Sequence, residues 1–316
     1  MLPKWLKSNE AISLLLFLIC FGTFSIMESA FFSPGSLTNL AILSSEVGLI
    51  TLGEAILLTA GELDLSVASV FALSSYIFLG LAYKTSIPLA FFLTLMCGLS
   101  IGFINGYLTV RSKIPSFITT LGGLILWRGL LGALSRGESI MYYGEKTTLL
   151  SRVVAGNVGF FPSVFLWFIG LAILFTILLN RTKFGNHVLA VGGDVTVARN
   201  MGVPVERVKI LSYIICSLMA GFAGCAHVVG AALVMPTLGT DIGYGFGKEF
   251  EAICVSVMAG TSIFGGIASM IAVLIASIAY STFRSGLILM GLPGYWYIPV
   301  SGLLLIIFVI IHQIRR

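Results

Sequence analysis

Apolar runs of about twenty residues recur along the whole chain, separated by polar stretches too short to fold alone. The lipid interior offers no partner for backbone N–H and C=O groups, so such runs cross a bilayer as helices. Ten spans are expected, near 11–32, 38–60, 64–83, 87–110, 115–135, 161–180, 209–233, 249–264, 267–290 and 295–313. Ser33-Pro34-Gly35, Ser112-Lys113-Ile114-Pro115 and Gly291-Leu292-Pro293-Gly294 punctuate them. Only 10% of the 316 residues are charged, which leaves no room for a separate soluble domain. The expected fold is one all-α polytopic membrane domain over residues 1–316. Region 249–290 admits two short spans, one kinked helix or re-entrant hairpins.

Lys4 and Lys7 precede the apolar run Ala11–Met27 in the manner of a signal peptide. That run exceeds the roughly 7–15 residues of a secretory apolar core, and further spans follow, so it reads as a membrane helix. With the N-terminus in the cytosol and strict alternation, eleven Lys and Arg fall on the cytosolic side. The outer side holds five: Lys84, Arg136, Lys146, Arg152 and Lys248. This bias predicts both termini inside. The net charge of +5 is therefore a topology signal rather than a nucleic-acid surface. Cys20, Cys97, Cys216, Cys225 and Cys254 lie in apolar runs without CxxC spacing, and His187, His227 and His312 are far apart. Neither set predicts a disulfide framework or a metal site.

The longest stretch that cannot sit in lipid runs from Asn180 to Lys209. Its interior, Val195–Met201, lacks Pro and Gly and predicts one or two helical turns. Gly202 supplies a C-terminal stop and Pro204 forbids continuation. Such a helix on a basic cytosolic loop is either a docking knob for a soluble partner or a plain connector. The polar outer segment 136–160 likewise covers a pore mouth, meets an external partner or merely connects.

A charge near a span centre costs about 2.5–3.5 kcal/mol, so intramembrane charges are expected to face a pathway, a partner helix or the interface. Glu46 and Glu54 share one face of the second span, and Arg128 in the fifth is the expected partner of one of them. Arg284, near the end of its span, is expected to snorkel. Asp64, with Ser66 close behind, is placed to cap the third helix or to touch a solute. Gly102, Gly106 and Asn105 form a small-residue face suited to close helix packing. Gly260-Thr261-Ser262 and Gly265-Gly266 read as a tight cytosolic turn, with a gate hinge as the other reading. Glu249 and Glu251 open the eighth span, at the interface or lining an outer vestibule. The expected pathway or gate residues are Asp64, Ser66, Asn105, Glu249, Glu251 and Thr261.

The sequence carries no engine. The nearest string to a nucleotide-binding loop, Gly245-Phe246-Gly247-Lys248-Glu249, ends in Glu and has Ile242 where the first Gly belongs. The chain is therefore expected to be no enzyme, and energy comes from a partner or an ion gradient.

Three stretches carry a family resemblance: GELDLSVAS at Gly61–Ser69, TKFGNHVLAVGGDVTVARNMGVPVERVKILSY at Thr182–Tyr213, and EFEAICVSVMAGTSIFGG at Glu249–Gly266. Ile101–Gly106 and Ile114–Gly122 match more weakly. Together they resemble the permease subunits of bacterial ABC importers for ribose, galactose, xylose and autoinducer 2, in order and spacing over nearly the whole chain. The resemblance implies an ABC importer permease fold of about ten membrane helices in the bacterial cytoplasmic (inner) membrane. It implies a second permease copy or paralogue, a cytosolic ABC ATPase and an extracytoplasmic solute-binding protein as partners. ATP and Mg are then used by the ATPase, with no cofactor bound by this chain. It also implies that the 180–209 loop carries the ATPase-coupling helix, with Asp194, Ala198, Arg199, Gly202, Val203 and Arg207 in that element. The implied function is import of a monosaccharide or related small polar solute by alternating access. Glu62, Ala68 and Asp194 depart from the family pattern of Gly, Gly and Asn, and Glu54 replaces a neutral residue. The rival readings are an ion-coupled secondary transporter using Glu46 or Glu54, and a non-transport assembly or sensor protein.

Overall fold

The computed structural model describes residues 8–137, 140–141, 153–154, 156–159, 161–231, 233–234, 245–293 and 296–315. Most of segment 136–160, including Glu138, Glu145 and Lys146, lies outside the described residues, as do Lys4 and Lys7. Among the described residues the fold is helical: α1 (Asn9–Met27), α2 (Pro34–Thr59), α3 (Val67–Ala82), α4 (Ile87–Ser112), α5 (Ser116–Ser135) and α6 (Ser163–Arg181) come first. They are followed by α7 (Lys183–Gly193), α8 (Val195–Asn200), α9 (Val205–Ala231), α10 (Lys248–Met258), α11 (Met270–Leu289) and α12 (Tyr297–Arg315). Two-residue strands β1 (Ile140–Met141) and β4 (Leu233–Val234) pair antiparallel, as do β2 (Asn157–Val158) and β3 (Phe161–Pro162).

Seven helices are long and apolar enough to cross a membrane: α1, α2, α4, α5, α6, α9 and α11. Two shorter apolar helices, Val67–Ala82 and Ile298–Ile310, match the third and tenth expected spans. The eighth is corrected. Helix α10 has 11 residues and stops at Met258, not near 264. At 1.5 Å per residue it is about 16 Å long, half the hydrocarbon thickness. Gly260, Gly265 and Gly266 then take positive φ, and the chain turns without helix until Met270. Residues 259–266, with Gly260, Gly265 and Gly266, carry the turn that the sequence favours.

Helix α2 is the axis of the core. From Ser44 to Thr59 every residue is buried, charged ones included. A helix apolar all round is stable only when wrapped on all sides, and α6, α9, α10 and α11 pack around α2. Helix α9 crosses α4 closely because Gly102 has no side chain. A Cβ there would lie 2.6 Å from the Tyr213 carbonyl oxygen. The predicted small-residue face is thus the α4–α9 contact. At the periphery, α1 and α5 keep large apolar side chains exposed, Leu18, Ile19, Ile125 and Leu126 among them, as a lipid-facing surface requires.

Asn9 Nδ2 donates to the Gly260 carbonyl at 3.2 Å, and Gly266 N–H donates to the Thr59 carbonyl at 2.9 Å. The start of α1, the end of α2, the turn after α10 and the 180–209 stretch therefore meet at one end of the bundle.

Candidate functional site

The polar stretch after α6 is built entirely from local signals. Thr182 caps α7, its hydroxyl accepting from Gly185 N–H at 3.2 Å. Asp194 then caps α8, its Oδ1 accepting from Thr196 N–H at 2.7 Å and Val197 N–H at 2.9 Å. Gly202 takes φ +80°, and Val203 N–H reaches back to the Ala198 carbonyl at 3.0 Å, a Schellman closure. Val205 follows Pro204 as the first residue of α9. Ala198 is buried and seats α8, whereas Val197 is 58% and Met201 80% exposed. Arg199 Nη2 pairs with Glu206 Oε1 at 2.7 Å across the turn, and Arg207 is exposed. The expected short helix thus forms, over Val195–Asn200 with Met201 at its C-cap, and with a bare apolar tip.

Behind α8 lies a cleft of ≈ 610 Å³, walled by Glu62, Lys113, Pro115, Val195, Arg199 and Lys209 among others. Lys209 Nζ meets Glu62 Oε1 at 2.5 Å, nearly out of solvent. Tyr213, one turn further along α9, directs its hydroxyl to Glu62 Oε2 at 3.5 Å and the Leu63 carbonyl at 3.4 Å.

From there a chain of hydrogen bonds enters the core. Asp64 N–H donates to Glu54 Oε1 at 3.2 Å, and Cys216 Sγ–H to Glu54 Oε2 at 3.2 Å. Asp64 Oδ1 accepts from Ser66 N–H at 2.8 Å and Ser66 Oγ–H at 2.6 Å. Ser66 Oγ in turn accepts from Asn105 Nδ2 at 2.7 Å, and Asn105 Oδ1 from Trp127 Nε1 at 3.5 Å. Asp64 does not cap α3 directly. Ser66 occupies the cap position without a side-chain cap bond, because Asp64 holds that serine from behind.

A second charged group sits further along α2. Glu46 pairs with His227 Nδ1 at 2.5 Å and with Lys248 Nζ. Lys248 also faces Glu251 at 3.5 Å, and Glu251 Oε1 accepts from Arg284 Nη1 at 3.2 Å. Lys248 Nζ lies 5.7 Å from the Phe71 ring centre. Opposite charges alternate along this row, which is how charges survive burial. Three expectations change here. Among the described residues Arg128 faces Glu249 rather than Glu46 or Glu54. Arg284 is paired rather than snorkelling. Lys248, counted with the outer solvent, is 9% exposed.

The structure therefore joins Asp64, Ser66 and Asn105, and places Glu249 and Glu251 on α10 with different partners. Thr261 lies in the turn beyond α10, buried, its hydroxyl without a hydrogen-bond partner among the described residues. Sequence reasoning missed Tyr213, Cys216, Trp127 and His227. His227 had a signal, a lone ionisable side chain in an apolar run; the others had none.

The fold and these buried polar groups define a polytopic helical membrane protein with a half-length helix, α10, in its core. Residues 36–309 match the family model described as branched-chain amino acid transport system / permease component. The chain belongs to that permease family. It is 30% identical to the xylose/arabinose import permease protein XylH of Sulfolobus acidocaldarius over 93% of this chain and 82% of that one. It is 29% identical to the autoinducer 2 import system permease protein LsrC of Photorhabdus luminescens over 96% and 89%. It is 27% identical to the ribose import permease protein RbsC of Escherichia coli over 99% and 95%. No solved structure matches the chain. The resemblance drawn from the three sequence stretches holds: this is the multi-pass membrane permease subunit of an importer.

Proposed function

We propose that the chain is the transmembrane subunit of an ATP-driven importer for a monosaccharide or a related small polar solute. The observation that carries this is the tip of α8. A rigidly capped helix of six residues presents Val197 and Met201 to solvent between two membrane spans. Exposed apolar side chains on a rigid, polar loop suit a protein groove. A cytosolic ATPase docks there, ATP and Mg stay with it, and both termini share that side. A second permease copy or paralogue completes the pathway, and a binding protein delivers solute to the opposite end. ATP-driven closure of the ATPases moves α8, and the bundle alternates access. The buried polar groups Asp64, Ser66, Asn105, Glu249, Glu251 and Thr261 line or gate the route.

Uptake of labelled pentoses and hexoses into proteoliposomes holding all partners tests this. The account predicts uptake that needs ATP and the ATPase. Uptake by this chain alone, driven by a proton gradient, overturns it in favour of a carboxylate-coupled secondary transporter.

A further inference from the structure

We propose that Glu62 and Lys209 form the strut that carries motion of α8 into the buried Asp64–Ser66–Asn105 chain. This rests on the reading of α8 as the ATPase-docking element. Three observations support the strut. First, only Met201–Pro204 separate α8 from α9, and the Val203–Ala198 backbone bond folds that link back onto α8, so motion of α8 is passed to the start of α9. Lys209 is the fifth residue of α9, where its second turn begins.

Second, Lys209 holds Glu62 at 2.5 Å in a setting far drier than the exposed Arg199–Glu206 pair. Exposed pairs contribute little, whereas a pair largely shielded from water, as this one is in the cleft wall, costs more to break. Glu62 stands in a short buried loop between α2 and α3. Its neighbour Leu63 is held through its carbonyl by Tyr213, and by Thr120 Oγ1 at 3.3 Å. Asp64 follows directly and bonds α2 through Glu54, and Ser66 bonds α4 through Asn105. A displacement of Lys209 thus reaches α2, α3 and α4 through one contiguous set of polar contacts.

Third, the ≈ 610 Å³ cleft lies between α8 and the α4–α5 turn, with both strut residues in its wall. It leaves α8 room to move inward, and Glu62 and Lys209 stand where that motion arrives. Glu62 is also one of the positions where this chain departs from the sugar-permease pattern. Lys209 accounts for a carboxylate there.

The experiment compares Glu62→Gln, Lys209→Met and the charge exchange Glu62→Lys with Lys209→Glu in the assembled complex. Both solute uptake and ATP hydrolysis are measured. Each single variant should lower the solute moved per ATP by about tenfold, within the range of coupled sites, while hydrolysis persists. The exchange should recover most of the loss. A second readout uses a chain whose other tryptophans are Phe, leaving Trp127 at the far end of the relay. Its fluorescence should respond to ATPase binding in the parent and not in Lys209→Met. A merely structural pair would lower uptake and hydrolysis together and leave the Trp127 response intact. That result, or full uptake in both single variants, overturns the strut. Absence of ATP-driven uptake in the parent complex instead sinks the reading of function beneath it.

Discussion

Gly192, next to last in α7, lies against the Thr59 carbonyl at the C-terminus of α2 so closely that a Cβ would stand 1.7 Å from that oxygen. The same carbonyl accepts the Gly266 N–H. Three segments distant in sequence therefore share one contact, just before α8 in the chain.

Gly192→Ala should destabilise the protein by at least the roughly 1–3 kcal/mol typical of overpacking, because backbone atoms rather than a flexible side chain obstruct the new methyl. Gly193→Ala, which meets nothing within 4 Å, should stay within about 0.5 kcal/mol of the parent. Thermal unfolding in detergent compares the two. Equal midpoints would contradict the contact.

Lys248→Met should cost about 3–5 kcal/mol, the scale for removing one partner of a buried ion pair. Glu46 and Glu251 would then sit near each other with one cation fewer. Adding Glu46→Gln removes a charge left with His227 alone and should recover part of the loss. A double-mutant cycle on unfolding midpoints measures the coupling. Strict additivity would show that the Glu46–Lys248 pair contributes nothing.

Glu54 is fully buried and accepts from the Asp64 backbone and the Cys216 thiol. Glu54→Leu should leave the Asp64 N–H unpaired, costing about 1–3 kcal/mol. Glu54→Gln keeps one oxygen acceptor and should cost less. A midpoint for the Leu variant equal to that of the Gln variant would refute the bond.

Much of this architecture was legible before any coordinates. Span length and the end of α8 are local properties, so Gly202 and Pro204 stop that helix unaided, whereas its Asp194 cap emerges only in the structure. The end of α10 was misread because Ile263, Phe264 and Ile267 keep the stretch apolar past Met258, and hydropathy does not register a turn. Gly260, Gly265 and Gly266 were the signal. Charge partners were beyond reach in a different way. The cost of burying Glu46, Glu54 and Arg128 is visible in one residue, but its relief depends on which helices touch. Lys248 and His227 come to Glu46 only through the packing of α9 and α10 on α2.

Met201→Asp should weaken the interaction with the ATPase while leaving the fold within about 0.5 kcal/mol of the parent, because the residue is 80% exposed. Co-purification of the ATPase with the variant checks this. Retention equal to the parent would remove the α8 tip from the interface.

Labelling of Met201→Cys by a membrane-impermeant maleimide reports which membrane face presents α8 and whether a cytosolic ATPase covers it. The account predicts modification in inside-out vesicles, none in right-side-out vesicles, and protection when the ATPase is bound. Modification from the outer face, or labelling that the ATPase leaves unchanged, would contradict it.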